Sequence, residues 1–401
     1  MANIRSVSLY SYQEEFFFGR LSLEGMIEEV AKTGARGIEL LAEQYVPDEY
    51  ADPSDNFIAQ WKDWMAKYNV TPSCLDIFGD YKIFFNRDLT KKEQIDNFES
   101  NFRFAKKLGF PAVRAMIGTP VRYMPEIQAL TEKYGVKFGI EMHAPYNFSS
   151  PYFQEYLQYV EKSGSKMLGI VPDMSIFTVH VPRVQMNKFL RSGAQQKIVD
   201  TVCKCYESGM SIDEADAKIR LMGAGPMDNA ALKAAYASCH EKPENLMKYV
   251  DKIVHIHGKV YEMSEDCVEP SMDYETVLPM LKAHGYANFI SSEYEGQRNY
   301  HDEGSGEAPY NEIEAVRRHQ VMLKRLLGEG SFSRCASLCM QRGACVSERG
   351  ERSYECTGTV SARWKNGDCD RWNKPLRRAD CESTGRGRGK CCDCIAPCTE
   401  L

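Results

Sequence analysis

The chain has 401 residues, of which 43 % are hydrophobic and 26 % charged, a composition typical of a globular protein with a sizeable core. Its formal net charge of −6 is unevenly spread, because residues 1–330 are net acidic and residues 331–401 are net basic. An acidic body disfavours nucleic acid and anionic membranes as principal partners. The sequence also lacks the run of about 18 apolar residues that predicts a membrane-spanning helix.

Eight short apolar segments alternate with amphipathic segments along the first 300 or so residues. The predicted strands are Ile4–Leu9, Arg36–Leu41, Thr71–Phe78, Ala112–Ile117, Lys137–Met142, Met167–Pro172, Lys252–His257 and Asn288–Glu293. The predicted helices between them are Leu23–Thr33, Phe57–Tyr68, Glu93–Leu108, Val121–Tyr134, Tyr152–Lys162, Tyr274–His284 and Asn311–Leu327. Several helices end at a glycine, for example Gly109 and Gly135, because glycine adopts the left-handed cap conformation without steric cost.

This alternation predicts an α/β fold with parallel strands joined by crossover helices, and eight such units predict a (β/α)8 TIM barrel. A doubly wound open sheet is the alternative, because strand order cannot be read from one sequence. The barrel domain is predicted to span residues 1–330. A helical insertion at about 180–250 follows strand six, with two or three extra helices near Val184–Leu190, Gln196–Tyr206 and Ser211–Leu221. It is interpreted either as a lid or docking surface, or as an added layer without a catalytic role.

The predicted C-terminal ends of strands five to eight share carboxylate and imidazole side chains. They are Glu141 and His143, then Asp173, then His255 and His257, and finally Glu293 and Glu295. Strand ends of a parallel barrel converge on one mouth, so these groups are predicted to meet there. Each alone is more typical of a structural or solvated residue, but their recurrence on four consecutive strands favours a metal site. A mostly oxygen site with one nitrogen suits Mn²⁺, Mg²⁺ or Co²⁺.

Residues 3 to about 328 resemble the sugar phosphate isomerase/epimerase family, also called xylose-isomerase-like TIM barrels. The resemblance lies in Gly-Ile-Glu on strand two, Ile-Glu-x-His on strand five, Asp on strand six, His-x-His-x-Lys on strand seven and Glu on strand eight. It implies one divalent cation, with Mn²⁺ favoured over Mg²⁺ and Co²⁺. The ligands that it implies are Glu141, Asp173, His257 and Glu293.

The opening Ser-Val-Ser-Leu-Tyr-Ser-Tyr and the long insertion are similar to the α subunits of bacterial C-glycoside deglycosidases. Those enzymes cleave the carbon–carbon bond between sugar and aglycone in 3-oxo-glycosides, with a small β subunit. The resemblance implies a small sugar or glycoside substrate, and a β subunit or further copies of the chain as partner. Strand seven departs from the wider family, since His-Ile-His-Gly-Lys lacks the common Lys-Asp ending.

The predicted reaction is removal of a proton next to a sugar carbonyl. His143 is the predicted acid/base in a deglycosidase, with a structural role as the alternative, whereas Glu141 and Glu293 act on opposite faces of the substrate in a ketose 3-epimerase or sugar isomerase. The residues predicted to contact substrate are Glu39, Arg114, His255, Lys259 and Arg298. An endonuclease-like enzyme and a non-catalytic sugar-binding barrel are weaker alternatives.

Residues 331–401 hold ten of the 15 cysteines among Arg, Gly and Ser, with few large apolar residues. A zinc module, a disulfide-stapled domain and a disordered or non-native tail are the three interpretations, of which the last is favoured. The five other cysteines are scattered, and residues 1–15 lack the apolar core of a secretory signal. These features predict a cytoplasmic location.

Overall fold

The computed structural model describes residues 4–79, 81–302, 306 and 308–329. The predicted tail, 331–401, lies outside these residues. Eight strands run parallel to their neighbours around a central barrel. They are β1 (Arg5–Ser8), β2 (Gly37–Leu41), β3 (Thr71–Ile77), β4 (Ala112–Ala115), β5 (Lys137–Met142), β6 (Leu168–Pro172), β7 (Ile256–Val260) and β8 (Ile290–Tyr294). The predicted TIM barrel is confirmed, and the open-sheet alternative is wrong.

The barrel closes at β8 and β1, which form a regular parallel ladder, and its seam lies between β6 and β7. Two isolated bridges, Ile170 with Ile253 and Asp173 with His257, join the strands across that seam. Gly169 allows this approach, since a Cβ atom there would lie 2.0 Å from the carbonyl oxygen of Lys252. The seam therefore needs a residue without a side chain at this position.

Helices surround the barrel and follow the strands in sequence. Those outside the insertion are α1 (Gln13–Phe17), α2 (Leu23–Lys32), α3 (Ala42–Tyr45), α4 (Asp55–Tyr68), α5 (Lys91–Leu108), α6 (Met124–Tyr134), α7 (Pro151–Ser163), α13 (Tyr274–Ala283) and α14 (Glu312–Leu327). The predicted glycine stops are correct at α5 and α6, where Gly109 and Gly135 cap the helices with φ of 84° and 66°. Among the described residues, no helix combines the length and apolarity needed to cross a bilayer. The cytoplasmic location stays a prediction.

Strand β7 differs from its predicted position. The sequence predicted Lys252–His257, whereas the ladder runs from Ile256 to Val260. The apolar residues before β7 form a 3-10 turn at Val250–Lys252 and an isolated bridge at Ile253 instead of a strand. His255 and His257 therefore lie at the start of β7 rather than at its C-terminal end.

The insertion contains more helices than predicted, and these are α8 (Arg183–Arg191), α9 (Gln196–Glu207), α10 (Ile212–Leu221), α11 (Pro226–Tyr236) and the short α12 (Pro243–Met247). Helices α8 to α11 bury a second, smaller hydrophobic cluster that includes Met186, Val202, Ile219 and Ala235. A segment with its own core is a folded layer and not a flexible loop.

Glu269 is a buried carboxylate in the loop after β7. Its carboxylate accepts hydrogen bonds of 2.8 Å from the backbone N–H groups of Ser271 and Met272. Met272 in turn bridges Thr178 at the root of the insertion. Burial raises the pKa of the Glu269 carboxyl to about 8, although the two N–H groups oppose the shift.

Gly169→Ala is expected to destabilise the fold by about 1–3 kcal/mol, because its new methyl group overlaps a backbone carbonyl that cannot rotate away. Urea unfolding measures the effect. Gly118→Ala is the matched control, since nothing lies within 4 Å of a Cβ atom there. Equal stability of the two variants would contradict this account of the seam.

Glu269→Gln is expected to flatten the dependence of stability on pH. The folded pKa of about 8 lies above the ordinary value of 4.5, so folding takes up a proton between these values and stability falls as pH rises. Unfolding measured at pH 5.5 and 7.5 should show the wild type losing on the order of 3 kcal/mol more than the variant. The exposed Glu265→Gln is the control, and parallel curves for wild type and Glu269→Gln would refute the prediction.

Candidate metal centre and active site

Four strands deliver one side chain each to a buried cluster at the C-terminal mouth of the barrel. Glu141 belongs to β5, Asp173 directly follows β6, His257 belongs to β7 and Glu293 belongs to β8. One ligand atom from each lies within 4.8 Å of the others. All four residues are at most 3 % exposed. The structure thus brings together the four residues that the sequence predicted as a ligand set.

The imidazole of His257 lies between two groups of carboxylates. Its Nδ1 atom lies 2.7 Å from Glu141 Oε1 and 3.3 Å from Glu293 Oε2. Its Nε2 atom lies 3.2 Å from Oε1 of Glu39 in β2. Nδ1 is hydrogen-bonded to Glu141, whereas the contact of Nε2 with Glu39 is an ion-pair contact without a well-oriented hydrogen bond.

Glu39 and His255 lie beneath the cluster and are fully buried. His255 Nε2 contacts Glu39 Oε2 and lies 2.9 Å from Ser291 Oγ. Burial lowers the pKa of His255 although Glu39 opposes the shift. The pKa of His257 is raised in spite of burial, because Glu39, Glu293 and Glu141 favour its cation. Glutamates on both sides of the ring therefore favour a positive charge on the His257 imidazole.

Lys259 and Glu295 extend the cluster on one side. The Lys259 ammonium lies 2.7 Å from Glu293 Oε2, 3.2 Å from Asp173 Oδ2 and 3.0 Å from Glu295 Oε2. Arg298, at the cavity wall, pairs with the other Glu295 oxygen at 2.9 Å. Burial raises the pKa of Asp173 to about 6 despite the attraction of Lys259.

Arg114 in β4 extends the cluster on the other side. Its Nη2 atom lies 2.9 Å from Glu141 Oε2, and its Nε atom lies 3.7 Å from Asp76 Oδ1. Burial opposes ionisation of Glu141, but Arg114 and His257 outweigh it and lower the pKa of this carboxyl to about 2. Arg114 thus pairs with both Glu141 and Asp76, and more closely with Glu141.

The cluster has the chemistry to hold a divalent cation. Its three carboxylates exceed the two permanent charges of Arg114 and Lys259 beside them. Asp173 Oδ2 and Glu293 Oε2 are buried and accept no well-oriented hydrogen bond from any described residue, so both keep lone pairs for a cation. Three oxygen donors and one nitrogen are a hard ligand set suited to a small divalent ion. The identity of the ion stays a prediction.

A cavity of about 280 Å³ opens above the cluster. Its described lining residues are Tyr10, Leu41, Asp76, Phe78, Arg114, Met116, Glu141, His143, Lys259, Glu293, Glu295 and Arg298. All three predicted catalytic residues line this cavity, as do three of the five residues predicted to contact substrate. Glu39 and His255 are absent from the described lining and contact His257 and Ser291 instead.

His143 is the imidazole on the wall of this cavity. Its Nδ1 atom lies 2.7 Å from the carbonyl oxygen of Ala144. Because a carbonyl oxygen can only accept, Nδ1 carries a proton, and Nε2 is the ring nitrogen left for a ligand in the cavity.

Tyr10 and Phe78 line the cavity without having been predicted as site residues. Tyr10 follows β1 by two positions and Phe78 directly follows β3. The rule that strand ends face the mouth identifies both positions, but their aromatic side chains carry no charge signal. Asp76, the penultimate residue of β3, also lines the cavity and was not predicted as a site residue.

A TIM barrel with a buried cluster of carboxylates and histidine at its C-terminal mouth defines a class of proteins. The sequence profile described as the xylose isomerase-like TIM barrel matches residues 27–319. The chain belongs to this family.

Relatives within and around the family agree with this assignment. The C-glycoside deglycosidase alpha subunit of Arthrobacter globiformis is 27 % identical over 331 residues, which cover 80 % of this chain and 92 % of that protein. The 3'-dehydrocarminate deglycosidase alpha subunit of a Microbacterium species is 25 % identical and covers 72 % of this chain and 87 % of its own. A crystal structure of the IOLI protein with a binding zinc atom shares the fold, with a TM-score of 0.50, 15 % identity and coverage of 82 % and 99 %. The relatives indicate an enzyme that acts on sugars.

Glu141→Gln and Asp173→Asn are each expected to weaken binding of Mn²⁺, because each removes one anionic oxygen donor from the cluster. The loss should be at least as large as the ~10–100-fold typical of removing an outer partner of a metal ligand. Isothermal titration of the metal-stripped protein measures it. The exposed Glu275→Gln is the control for loss of one charge, and unchanged affinity in both cluster variants would rule out this site.

Proposed function

We propose that this protein is the α subunit of a C-glycoside deglycosidase, a metal-dependent lyase that cleaves the bond between a 3-oxo sugar and an aglycone carbon. The proposal rests on one observation, the buried cluster of Glu141, Asp173, His257 and Glu293 that lies beside the imidazole of His143 at one cavity. A cation site beside a base is the arrangement that proton removal next to a carbonyl requires. Two relatives at 25–27 % identity with deglycosidase names support this choice of reaction.

The four clustered residues are proposed to hold one divalent cation, with Mn²⁺ favoured and Mg²⁺ or Co²⁺ as alternatives. When bound, such a cation polarises the sugar carbonyl and a neighbouring hydroxyl and so stabilises the negative charge left by proton loss. Glu39 lies behind His257, with its Oε1 atom 3.2 Å from Nε2, and its negative charge attracts a positive imidazole.

His143 is proposed to remove the proton from C2 of the sugar, next to the carbonyl at C3, through its free Nε2 lone pair. The electron pair left on C2 forms a C1–C2 double bond as the bond from C1 to the aglycone breaks. The aglycone carbon takes up a proton, and the imidazolium of His143 is its nearest source. The products are an unsaturated 3-oxo sugar and the free aglycone, so atoms and electrons balance.

Arg114, Lys259 and Arg298 are the proposed contacts for sugar oxygens. Each lines the cavity, and the first two are at most 6 % exposed, so the field of their charges is little screened by water. A developing enolate oxygen within reach of such buried cations is stabilised more than the neutral ketone.

The names of the relatives as alpha subunits support a second, small β subunit as partner of this chain. Self-association is the alternative. Co-purification with a β subunit encoded alongside it, analysed by size-exclusion chromatography with light scattering, distinguishes a hetero-complex from copies of one chain.

A ketose 3-epimerase or sugar isomerase is the second candidate. Glu141 and Glu293 favour it, because two carboxylates from β5 and β8 line the same cavity and can serve opposite faces of a sugar. Incubation of the Mn²⁺-loaded protein, with and without its partner, with 3-oxo-C-glycosides and with ketoses separates the two. Release of aglycone supports the lyase, and epimerised ketose without release supports the second candidate.

His143→Ala is expected to lower the cleavage rate by about 10²–10⁴-fold, because the substrate proton loses its base. Metal affinity should be unchanged, since the cluster keeps its four donors. Rates at saturating substrate and titration with Mn²⁺ measure the two effects. The exposed His284→Ala is the control. Full activity of His143→Ala would show that His143 is not the base and has a structural role instead.

A further inference from the structure

Glu295 is a carboxylate that lines the cavity but does not belong to the four-residue cluster. It directly follows β8. Its two oxygens contact two different cations, since Oε2 lies 3.0 Å from the ammonium of Lys259 and Oε1 lies 2.9 Å from Nη1 of Arg298. Glu295 therefore joins two of the three cations that are proposed to contact sugar oxygens.

The backbone around Glu295 fixes the position of its carboxylate. The N–H of Glu295 donates to the carbonyl oxygen of Val260, the last residue of β7, at 2.9 Å. At the next position, Gly296, a Cβ atom would lie 2.1 Å from the carbonyl oxygen of Tyr261. The segment after β8 thus packs backbone against backbone on the end of β7, and the Glu295 side chain projects from a rigid point.

Lys259 and Arg298 are long side chains that need such an anchor, because each loses up to about 2 kcal/mol of rotamer entropy when it is held in one geometry. Arg298 is half exposed, and apart from Glu295 its guanidinium contacts the ring of Tyr10, with the centroid 5.1 Å away. Lys259 lies opposite Glu293 in the ladder of β7 and β8 and contacts its Oε2 atom at 2.7 Å.

The other partners of Lys259 belong to the cluster. They are Glu293 and Asp173, whose oxygens are proposed to hold a divalent cation. The same oxygens cannot serve that cation and the ammonium equally. Among the described residues, Glu295 is the ion-pair partner of Lys259 that lies outside the cluster, so it is the carboxylate that keeps the ammonium at the cavity.

We propose that Glu295 is a positioning residue, which sets the Lys259 ammonium and the Arg298 guanidinium side by side as donors to two oxygens of the sugar. This inference rests on the proposed function, because it assigns how the sugar of that substrate is oriented. Two donors at a fixed spacing hold a ring in one orientation, whereas a single donor lets the ring turn about the hydrogen bond. Orientation of the reacting C–H bond towards its base contributes to the rate as well as to binding.

Glu295→Gln tests this role, because an amide of the same size has one acceptor oxygen in place of two. The amide can hold one of the two cations, while its NH₂ group faces the other without a bond. Isothermal titration with 3-oxo-glucose at saturating Mn²⁺ measures the effect, and this probe reports on the sugar alone because it carries no aglycone. We expect binding at least about tenfold weaker, equivalent to about 1.4 kcal/mol. Glu275→Gln, which breaks an exposed pair with Arg325 outside the cavity lining, is the control and should bind as the wild type does.

A double-mutant cycle with Arg298→Met shows whether Glu295 acts through its cations. Both single variants should weaken binding of 3-oxo-glucose, and the loss in the double variant should be smaller than the product of the two single losses. Urea unfolding confirms that each variant is folded. Losses that multiply would show that Glu295 acts independently of Arg298, as a merely structural residue does, and they overturn the inference. Wild-type protein that does not bind 3-oxo-glucose overturns it as well.

Cleavage of 3-oxo-C-glucosides by the same preparations separates this inference from the proposed function. In a lyase, Glu295→Gln should raise KM and lower kcat together, because the substrate is bound less tightly and is less well oriented. Weaker sugar binding in Glu295→Gln, from protein that cleaves nothing, supports the positioning role while the lyase fails. Cleavage by Glu295→Gln with wild-type kcat and KM supports the lyase and overturns the positioning role.

Discussion

Three carboxylates and one imidazole lie within 4.8 Å of one another in the buried mouth of the barrel, and their mutual repulsion is the constraint that the surrounding residues satisfy. Charges of like sign interact strongly away from water. Arg114 compensates Glu141 on one side, Lys259 compensates Glu293 and Asp173 on the other, and a positive imidazole or a bound cation completes the balance. A positive charge at this position is also what the proposed chemistry at a sugar carbonyl requires.

Parallel strand geometry makes this concentration of charge possible, because it fixes each donor on a different rigid element. The backbone hydrogen bonds of β5, β6 and β8 set the positions of Glu141, Asp173 and Glu293 independently of the loops. Glu39 in β2 lies 3.2 Å from Nε2 of His257 on the other side of the ring. Residues after the strands, among them Phe78, His143 and Glu295, complete the cavity wall that the strand residues begin.

Much of the fold and of the cluster was predictable from the sequence. Short apolar segments mark the buried strands, and the charged residues at the ends of these segments interrupt the apolar pattern. The misplaced start of β7 shows the limit, since Ile253 and Val254 are apolar in either conformation and only the contact with Gly169 decides where the ladder begins. Glu39 and His255, which were predicted to contact substrate, are buried and contact each other, His257 and Ser291. The number of insertion helices was underestimated because α11 is rich in alanine and shows a weak apolar stripe.

The seam between β6 and β7 has a consequence for how such proteins diversify. The insertion leaves the barrel after β6, returns before β7 and has its own hydrophobic core. It is therefore a separate packing unit at the one seam between neighbouring strands. Mutations within it change its inner wall without straining the ladders on which the other strands depend. One contiguous stretch of the chain can thus change in sequence while the four clustered side chains at β5 to β8 keep their positions.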